Sequence, residues 1–450
     1  MPNVTLMGAG SFFTIPLFSD ILRIPDIGGG VIGLVDIDPE RLRLSAGVVQ
    51  RVIVKLGLEK KWTINASTKR REILPGTDYL INCIEVSGVA TVRHDYRIPK
   101  KYGVDQCIGD TAGPGGLMKA LRTIPVWLEV VRDAEDLCPN ALLLNYTNPM
   151  SMMSFATQRS TDMPYIGLCH SVQGTSGLIA RYTGVPYNEM KWRCAGINHM
   201  SWFTKLEHNG NDLYKLLRRK IETRAKLDGQ PLYEHDPVRF DLMMHLGYFV
   251  TESSGHMSEY VPYYRKREDL TDKYCRDGYR GGRGFYANSW PGWRKDADKG
   301  RAKILAGKQE LHISEHRGHE FASYVIEAHQ KNQPALIHAS VENKGLIDNL
   351  PSEGVVEVEV VIDKNGFHAC RFGSLPPQVA ALCASNMRHF ELAVKSILDR
   401  DRDAAVHSLM LDPLTAAVCS PAEIKNMFEE LVHAERDFLP KYITRSIEQK

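Results

Sequence analysis

NVTLMGAGS, residues 3–11, is a short apolar run that enters glycines without a break. A helical segment reaching Leu22 follows, so the stretch reads as strand, tight turn, helix. Gly8 and Gly10 let backbone approach a diphosphate, and the following helix turns its first amides toward it. Ser11, at the end of the turn, belongs to the same site. The third glycine of G-x-G-x-x-G is missing, with Phe13 in its place, so the motif alone also fits a plain tight turn. The second strand, VIGLVDID (31–38), strengthens the nucleotide reading. It brings Asp36 to its end, where a carboxylate can bond both ribose hydroxyls and would repel a 2′-phosphate, favouring NAD over NADP. Asp38 and Pro39 are an N-cap and first helical residue for the amphipathic run that follows.

Working outward, TDYLINCIEV (77–86) and ALLLNYTNP (141–149) are two more near-continuous apolar strands, each ending in polar residues. Strands of that kind alternating with helices give a parallel sheet covered on both faces. Ile84 and Glu85 then lie at a strand end beside the nucleotide. After Gly196 the rhythm changes to charged helical stretches (213–226, 237–246) and a segment rich in Gly, Arg and Trp, CRDGYRGGRGFYANSWPGWRK (275–295). VVEVEVVIDKNGFHACRFG (355–373) alternates and holds Asn-Gly, a hairpin signal. The last 75 residues read as helical. The expected fold is α/β: a Rossmann-type doubly wound parallel sheet over 1–195, then a mixed α/β C-terminal domain over 196–450, with the lactate/malate dehydrogenases as the fold it resembles.

The chain has 450 residues, 43% of them hydrophobic and 24% charged, with a formal charge of +2. Two domains are the expectation at that length. The near-neutral balance argues against a dedicated nucleic-acid binder. No apolar run of 18 residues is present, so no membrane span is expected. The amino terminus enters a strand at once, without a secretory pattern. Nine scattered cysteines favour reduced thiols and a cytoplasmic location.

CHSVQGT (169–175) and CAGINHM (194–200) carry a Cys-His pair and a further His. Local spacing leaves three readings open: a metal site, a nucleophile with its base, or core residues. The strands ending at Glu85, at Asn145–Asn148 and at Cys169-His170 share one rim, the carboxyl edge where open α/β sheets bind ligands.

CHSVQGT, CAGINHMSWF, GDTAGPGGLMKALRTIP, NYTNPM, GYFVTESSGHMSEYVPYY and GLIDNLP, in that order, resemble the NAD- and metal-dependent glycoside hydrolases of family 4. Cys-His-Ser-Val resembles the α-galactosidase type and is also found in α-galacturonidase-like members. The resemblance implies a retaining α-glycosidase. Bound NAD⁺ takes hydride from C3 of the sugar, a metal polarises the ketone, a base removes the C2 proton, and the C1–O bond breaks by elimination before water adds back and the ketone is reduced. It implies Mn²⁺ or another divalent cation on Cys169 and His199, although a Cys/His set taken alone suggests zinc, and a site of only two protein ligands would be weak. Cys169 would have to stay reduced.

By the same resemblance Asn148 binds substrate, as does Arg93 in some members. His170 stands where related enzymes place a proton donor and lies against the sugar. Tyr260 is the expected C2 base, with His256, Glu252 and Glu259 as alternatives, and Asp110 raises its basicity. A homodimer or homotetramer is also implied. The arginines and aromatics of 275–295 suit either an anionic sugar (a uronide or sulfosugar) or a surface loop or subunit contact. α-Glucosides are another substrate option. A plain hydroxyacid or sugar dehydrogenase and a non-catalytic sensor are the more distant readings.

Overall fold

The structure, a computed structural model, describes residues 1–445. Residues 446–450, part of the expected helical tail, lie outside the described residues. Among the described residues fifteen strands are formed. The first six are β1 (Asn3–Met7), β2 (Gly30–Val35), β3 (Trp62–Ser67), β4 (Tyr79–Asn82), β5 (Leu142–Asn145) and β6 (Tyr165–Gly167). They pair in the order 3-2-1-4-5-6, all parallel. This is the doubly wound order, with its switch point between β1 and β4. β4 and β5 are buried at every position. Their unbroken apolar sequence follows from having helices on both faces.

The observed strands are shorter than the apolar runs suggested. β2 stops at Val35, β4 at Asn82 and β5 at Asn145. The candidate site residues beyond them (Asp36, Ile84-Glu85, Asn148) thus fall in the loops of the carboxyl edge. Asp38 caps the helix Pro39–Lys55, its carboxylate accepting from the Glu40 and Arg41 amides.

The sheet does not end at β6. β6 pairs antiparallel with β13 (Ala335–Glu342), and β13 with β14 (Val355–Asp363). β14 pairs with β7 (Lys191–Ile197), β7 with β8 (Met200–His208), and β8 with β12 (Phe249–Val250). β9 (Asn211–Asp212) extends β8, and β10 (Lys226–Leu227) with β11 (Gln230–Pro231) forms a separate ribbon. One thirteen-stranded sheet therefore crosses the region of residue 195, which lies inside β7. A single apolar cluster runs from Val4 to Ile443, through both parts of the chain.

The hairpin over 355–373 is present, β14 pairing with β15 (Gly366–Ala369), but its turn residues are Lys364 and Asn365. Gly366, at φ +109°, opens the return strand instead of sitting in the turn. Five helices between Pro377 and Thr444 make up the described carboxyl-terminal part.

Candidate functional site

The Gly8–Ser11 loop leaves β1 with the Gly8 and Ala9 amides both donating to Val35 O, 2.9 Å each. Gly8 has φ +81°, and a Cβ there would stand 2.5 Å from Cys83 O, so only glycine fits. Asp36 Oδ2 accepts from the Gly10 amide at 2.6 Å and Oδ1 from the Asp38 amide at 2.9 Å. The ribose role expected for Asp36 is thus shared with holding the loop. Each oxygen keeps a second lone pair for a hydroxyl. Phe13, where a third glycine was expected, packs its ring 5.5 Å from that of Tyr146. The cradle fits a dinucleotide: two tight glycines, a carboxylate at the second strand end, and a helix behind.

Ile84 and Glu85 flank this loop on the β4 side. The Ile84 amide donates to Asn82 Oδ1 and its carbonyl accepts from Thr147 Oγ1 at 3.2 Å. Glu85 pairs with the buried Lys119 at 2.8 Å, and Lys119 also reaches Asp110 Oδ2 at 3.5 Å. Glu85, Asp110 and Lys119 line a cavity together with Gly88, Tyr286 and Trp290.

Beyond the end of β6 lies the second cluster. Cys169 stands two residues beyond the end of β6. His199 is the second residue of the two-residue turn between β7 and β8. Glu252 follows β12. One ligand atom from each lies within 4.8 Å of the others. His199 and Glu252 hold φ values of +64° and +75°. Non-glycine residues pay about 1–3 kcal/mol to stay there, and such strain gathers at functional sites. His199 Nδ1 is buried with no hydrogen-bond partner. Burial pushes the Cys169 thiol up to about 12, the positive His170 opposing it only partly. A half-buried thiol, an orphaned imidazole nitrogen and a carboxylate form a donor set that fits a divalent cation, whose charge would bring the thiol to its thiolate. Beside the two ligands expected from the sequence stands a third donor: Glu252, taken there as an alternative base, faces His199 Nε2 at 3.9 Å.

Tyr260 lies against this cluster, its ring centroid 6.4 Å from that of His199. It is fully buried and its hydroxyl has no hydrogen-bond partner. Burial raises its pKa well above the ordinary value, and the negative Asp110 raises it further. Asp110 is itself held down to about 2. Burial acts against this, but Lys119 and a hydrogen bond from Thr111 outweigh it. Asn148 Nδ2 donates to Asp110 Oδ2 at 3.2 Å, so Asn148, Asp110 and Tyr260 are brought together.

Of the other candidate bases, Glu259 falls elsewhere, whereas His256 lies in the cluster, its ring centroid 4.6 Å from that of His199 and its Nδ1 3.8 Å from Glu252 Oε1. The Glu259 carboxylate accepts the Cys107, Ile108 and Gly109 amides at 2.7, 3.1 and 3.0 Å, fixing the loop that carries Asp110. His256 bonds Ser253 Oγ through Nδ1, and burial holds it down to about 4.

His170 is half exposed, with Nδ1 3.3 Å from Glu320 Oε1. That partner lifts its pKa to about 9, against burial. An imidazolium at neutral pH is a competent proton donor. Glu320 carried no sequence signal. Arg93 is exposed on the helix Val92–Lys101; its neighbours Thr91 and Val92 line the cavity, but Arg93 is not part of the cluster.

The basic segment is largely spent on internal partners. Arg276 pairs with Glu234, and Arg283 with Asp105 and Asp272. Arg280 donates to Glu234 O, and Arg294 to Gly10 O. Arg276 and Arg283 are taken up by carboxylates within the chain, so these two do not carry the anionic-sugar reading of 275–295. Tyr286 and Trp290 of the same segment line the cavity.

Residues 3–185 match the family model for family 4 glycosyl hydrolases, and residues 194–415 that for the family 4 glycosyl hydrolase C-terminal domain. An alpha-galactosidase of Bacillus subtilis (strain 168) is 37% identical, over 98% of this chain and 100% of its own length. A 6-phospho-alpha-glucosidase from gut microorganisms, solved in complex with NAD and Mn²⁺, superposes with a TM-score of 0.80 at 20% identity, covering 98% of this chain and 99% of that one. A malate dehydrogenase from Aeropyrum pernix reaches a TM-score of 0.51 at 13% identity over 88% of this chain and 99% of its own, in keeping with the dehydrogenase-like sheet. Matched along nearly its whole length, with its Gly-rich loop and its Cys169–His199 pair on one sheet edge, the chain belongs to family 4 of the glycosyl hydrolases.

Proposed function

We propose that this protein is a retaining α-glycosidase of the α-galactosidase type, using NAD and a divalent cation such as Mn²⁺. The observation that carries the reading is the convergence of Cys169, His199 and Glu252 beside Tyr260. Gly8, Gly10, Ser11 and Asp36, with Ile84 and Glu85, would hold the dinucleotide, and Cys169, His199 and Glu252 the cation. When bound, these groups supply a reversible hydride acceptor for the sugar's C3 and a Lewis acid for its oxygens.

The protein's own groups then handle protons. Tyr260 removes the proton from C2 of the sugar, and Asp110 beside it makes the phenolate a stronger base. Asn148 and Lys119 keep Asp110 oriented and ionised. His170, kept protonated by Glu320, delivers a proton to the departing glycosidic oxygen. Asn148 and, from the cavity rim, Arg93 meet the sugar hydroxyls. Residues 1–195 serve as the nucleotide half and the remainder as the half that completes the metal and sugar sites, the two sharing one sheet. The alternative of an anionic sugar is disfavoured by the pairing of Arg276 and Arg283.

Among the described residues no helix is long and apolar enough to cross a membrane. A cytoplasmic enzyme acting as a homodimer or homotetramer, with a small glycoside and no nucleic acid as partner, completes the proposal. The test is hydrolysis of an aryl α-galactoside in D₂O with catalytic NAD⁺, Mn²⁺ and reductant. Product carrying deuterium at C2 is expected. Unlabelled product, or turnover indifferent to NAD⁺, would overturn the reading, and stoichiometric NADH would make the protein a dehydrogenase.

A further inference from the structure

The helix Phe285–Leu305 lies against the helix Pro39–Lys55 and over the Gly-rich loop, and the reaction proposed above assigns its arginines no part. Arg294 Nη1 donates to Gly10 O at 2.6 Å, and Arg301 Nη1 to the same oxygen at 2.9 Å. Arg301 Nη2 donates to Ser11 O. The next loop residue, Phe12, meets Trp290 edge-on at 6.3 Å and has the Arg294 guanidinium 5.7 Å from its ring centroid. Asp298 ties the group together, accepting from Arg294 Nη2 at 3.1 Å, Arg301 Nη1 at 3.3 Å and Arg41 Nε at 3.2 Å. Nearly three hundred residues downstream, one helix thus grips the loop by its carbonyls.

Two features go beyond a packing contact. Arg294 is 8% exposed, and its Nε is buried without any hydrogen-bond partner. A buried donor left open is costly, and most such groups in native proteins are paired. Three guanidiniums share the Asp298 carboxylate, and only Arg41 has a second one, Asp38 at 3.6 Å. Arg41, Arg294 and Arg301 crowd together, while the nearby Asp36 is committed to the Gly10 and Asp38 amides. Burial, then Arg41, depresses the Arg294 pKa, and burial, then Arg294, brings Arg301 to about 10. A further negative group would relieve both. The loop these arginines hold is the one that meets a dinucleotide diphosphate in this fold, and guanidinium is the side chain suited to phosphate.

Resting on the dinucleotide reading above, we propose that the helix Phe285–Leu305 is a built wall of that site. Arg294 offers its free Nε to the diphosphate, and Arg301 acts as a positioning residue that fixes Gly10 and Ser11. The ligand class is a nucleotide diphosphate; the nicotinamide end is not read by this wall.

The test is calorimetric titration of wild type, Arg294→Lys, Arg294→Ala and Arg301→Lys with NAD⁺ and ADP-ribose, with Mn²⁺ affinity followed by electron paramagnetic resonance. Arg294→Lys keeps the charge and one donor to Gly10 but lacks Nε, and it carries the test if the alanine variant does not fold. The expected result is affinity about tenfold weaker for both nucleotides by the same factor, with Mn²⁺ binding unchanged. Wild-type affinity in a folded Arg294→Lys, tighter binding in Arg294→Ala, or a loss confined to NAD⁺ would overturn the proposal while leaving the dinucleotide reading in place. A wild-type protein that binds neither NAD⁺ nor ADP-ribose would overturn the dinucleotide reading itself.

Discussion

The Gly8–Ser11 loop and Asp36 lie within one strand–helix–strand unit, and Asp36 bonds directly to Gly10. Cys169, His199 and Glu252 arrive separately, from the end of β6, the β7–β8 turn and the end of β12. The nucleotide loop is stabilised by ladder bonds between neighbouring parallel strands, and its glycines have ordinary roles for glycine. The cation cluster holds two non-glycine residues at positive φ and leaves an imidazole nitrogen and a phenol hydroxyl buried without partners. A loop made by local sequence tolerates little but costs little. A cluster made by tertiary closure stores strain and unsatisfied polarity, which a ligand can relieve.

From this contrast, variants in one region should leave the other's ligand untouched. The largest effect is expected at Tyr260: Tyr260→Phe should lower kcat by about 10²–10⁴-fold, the range for a lost general base, while calorimetric NAD⁺ affinity and Mn²⁺ affinity stay at wild-type values. Retention of kcat would remove Tyr260 from the chemistry. Next, Cys169→Ser and Glu252→Gln should each weaken Mn²⁺ binding by about 10–100-fold, at least the range known for a metal ligand's outer partners, measured by electron paramagnetic resonance, with NAD⁺ titration unchanged. A Glu252→Gln protein that binds Mn²⁺ normally would reduce the site to two ligands. Asp36→Ala should do the reverse, weakening NAD⁺ about tenfold through lost charged hydrogen bonds and sparing Mn²⁺.

The smallest effect concerns His170. Its pKa is raised to about 9, mainly by Glu320. The protonated donor is therefore present below that value and lost above it, so the kcat–pH profile should fall as pH rises through about 9. Glu320→Gln removes the anion that favours the imidazolium, and the alkaline limb should move down toward the ordinary histidine range, with little change at pH 6. An unmoved limb would mean that another group delivers the proton.

How far each region can be read in the sequence follows the same division. Asp38 as N-cap and Pro39 as first helical residue are local devices and stand as expected. The parallel strands announced themselves by apolar runs, but their ends did not, because an apolar run does not mark where ladder pairing stops. The hairpin was visible, yet its turn lies one residue before the Asn-Gly pair, since register is set by β14's pairing with β13 and β15 together. Glu252 stood among the base candidates; nothing in VTESSGH distinguishes a carboxylate that faces His199 from one that faces solvent. Glu320 gave no sign at all. The arginines of 275–295 suggested a surface that binds anions, and only packing shows Arg276 and Arg283 neutralised and Arg294 turned onto Gly10.

By itself, the sequence determined the doubly wound sheet, the Gly8–Gly10 turn, Asp36 at its strand end and the presence of a thiol and an imidazole near the same edge. These rest on periodicity, φ-permissive glycine and caps, all of which act over a few residues. Tertiary structure alone decided that β6 continues through β13 into one sheet, that Glu252 joins Cys169 and His199, that Glu320 charges His170, and that a helix at 285–305 holds the loop at residue 10. Each of these is a contact between segments whose meeting is fixed by the burial of a shared core, and no local propensity encodes it.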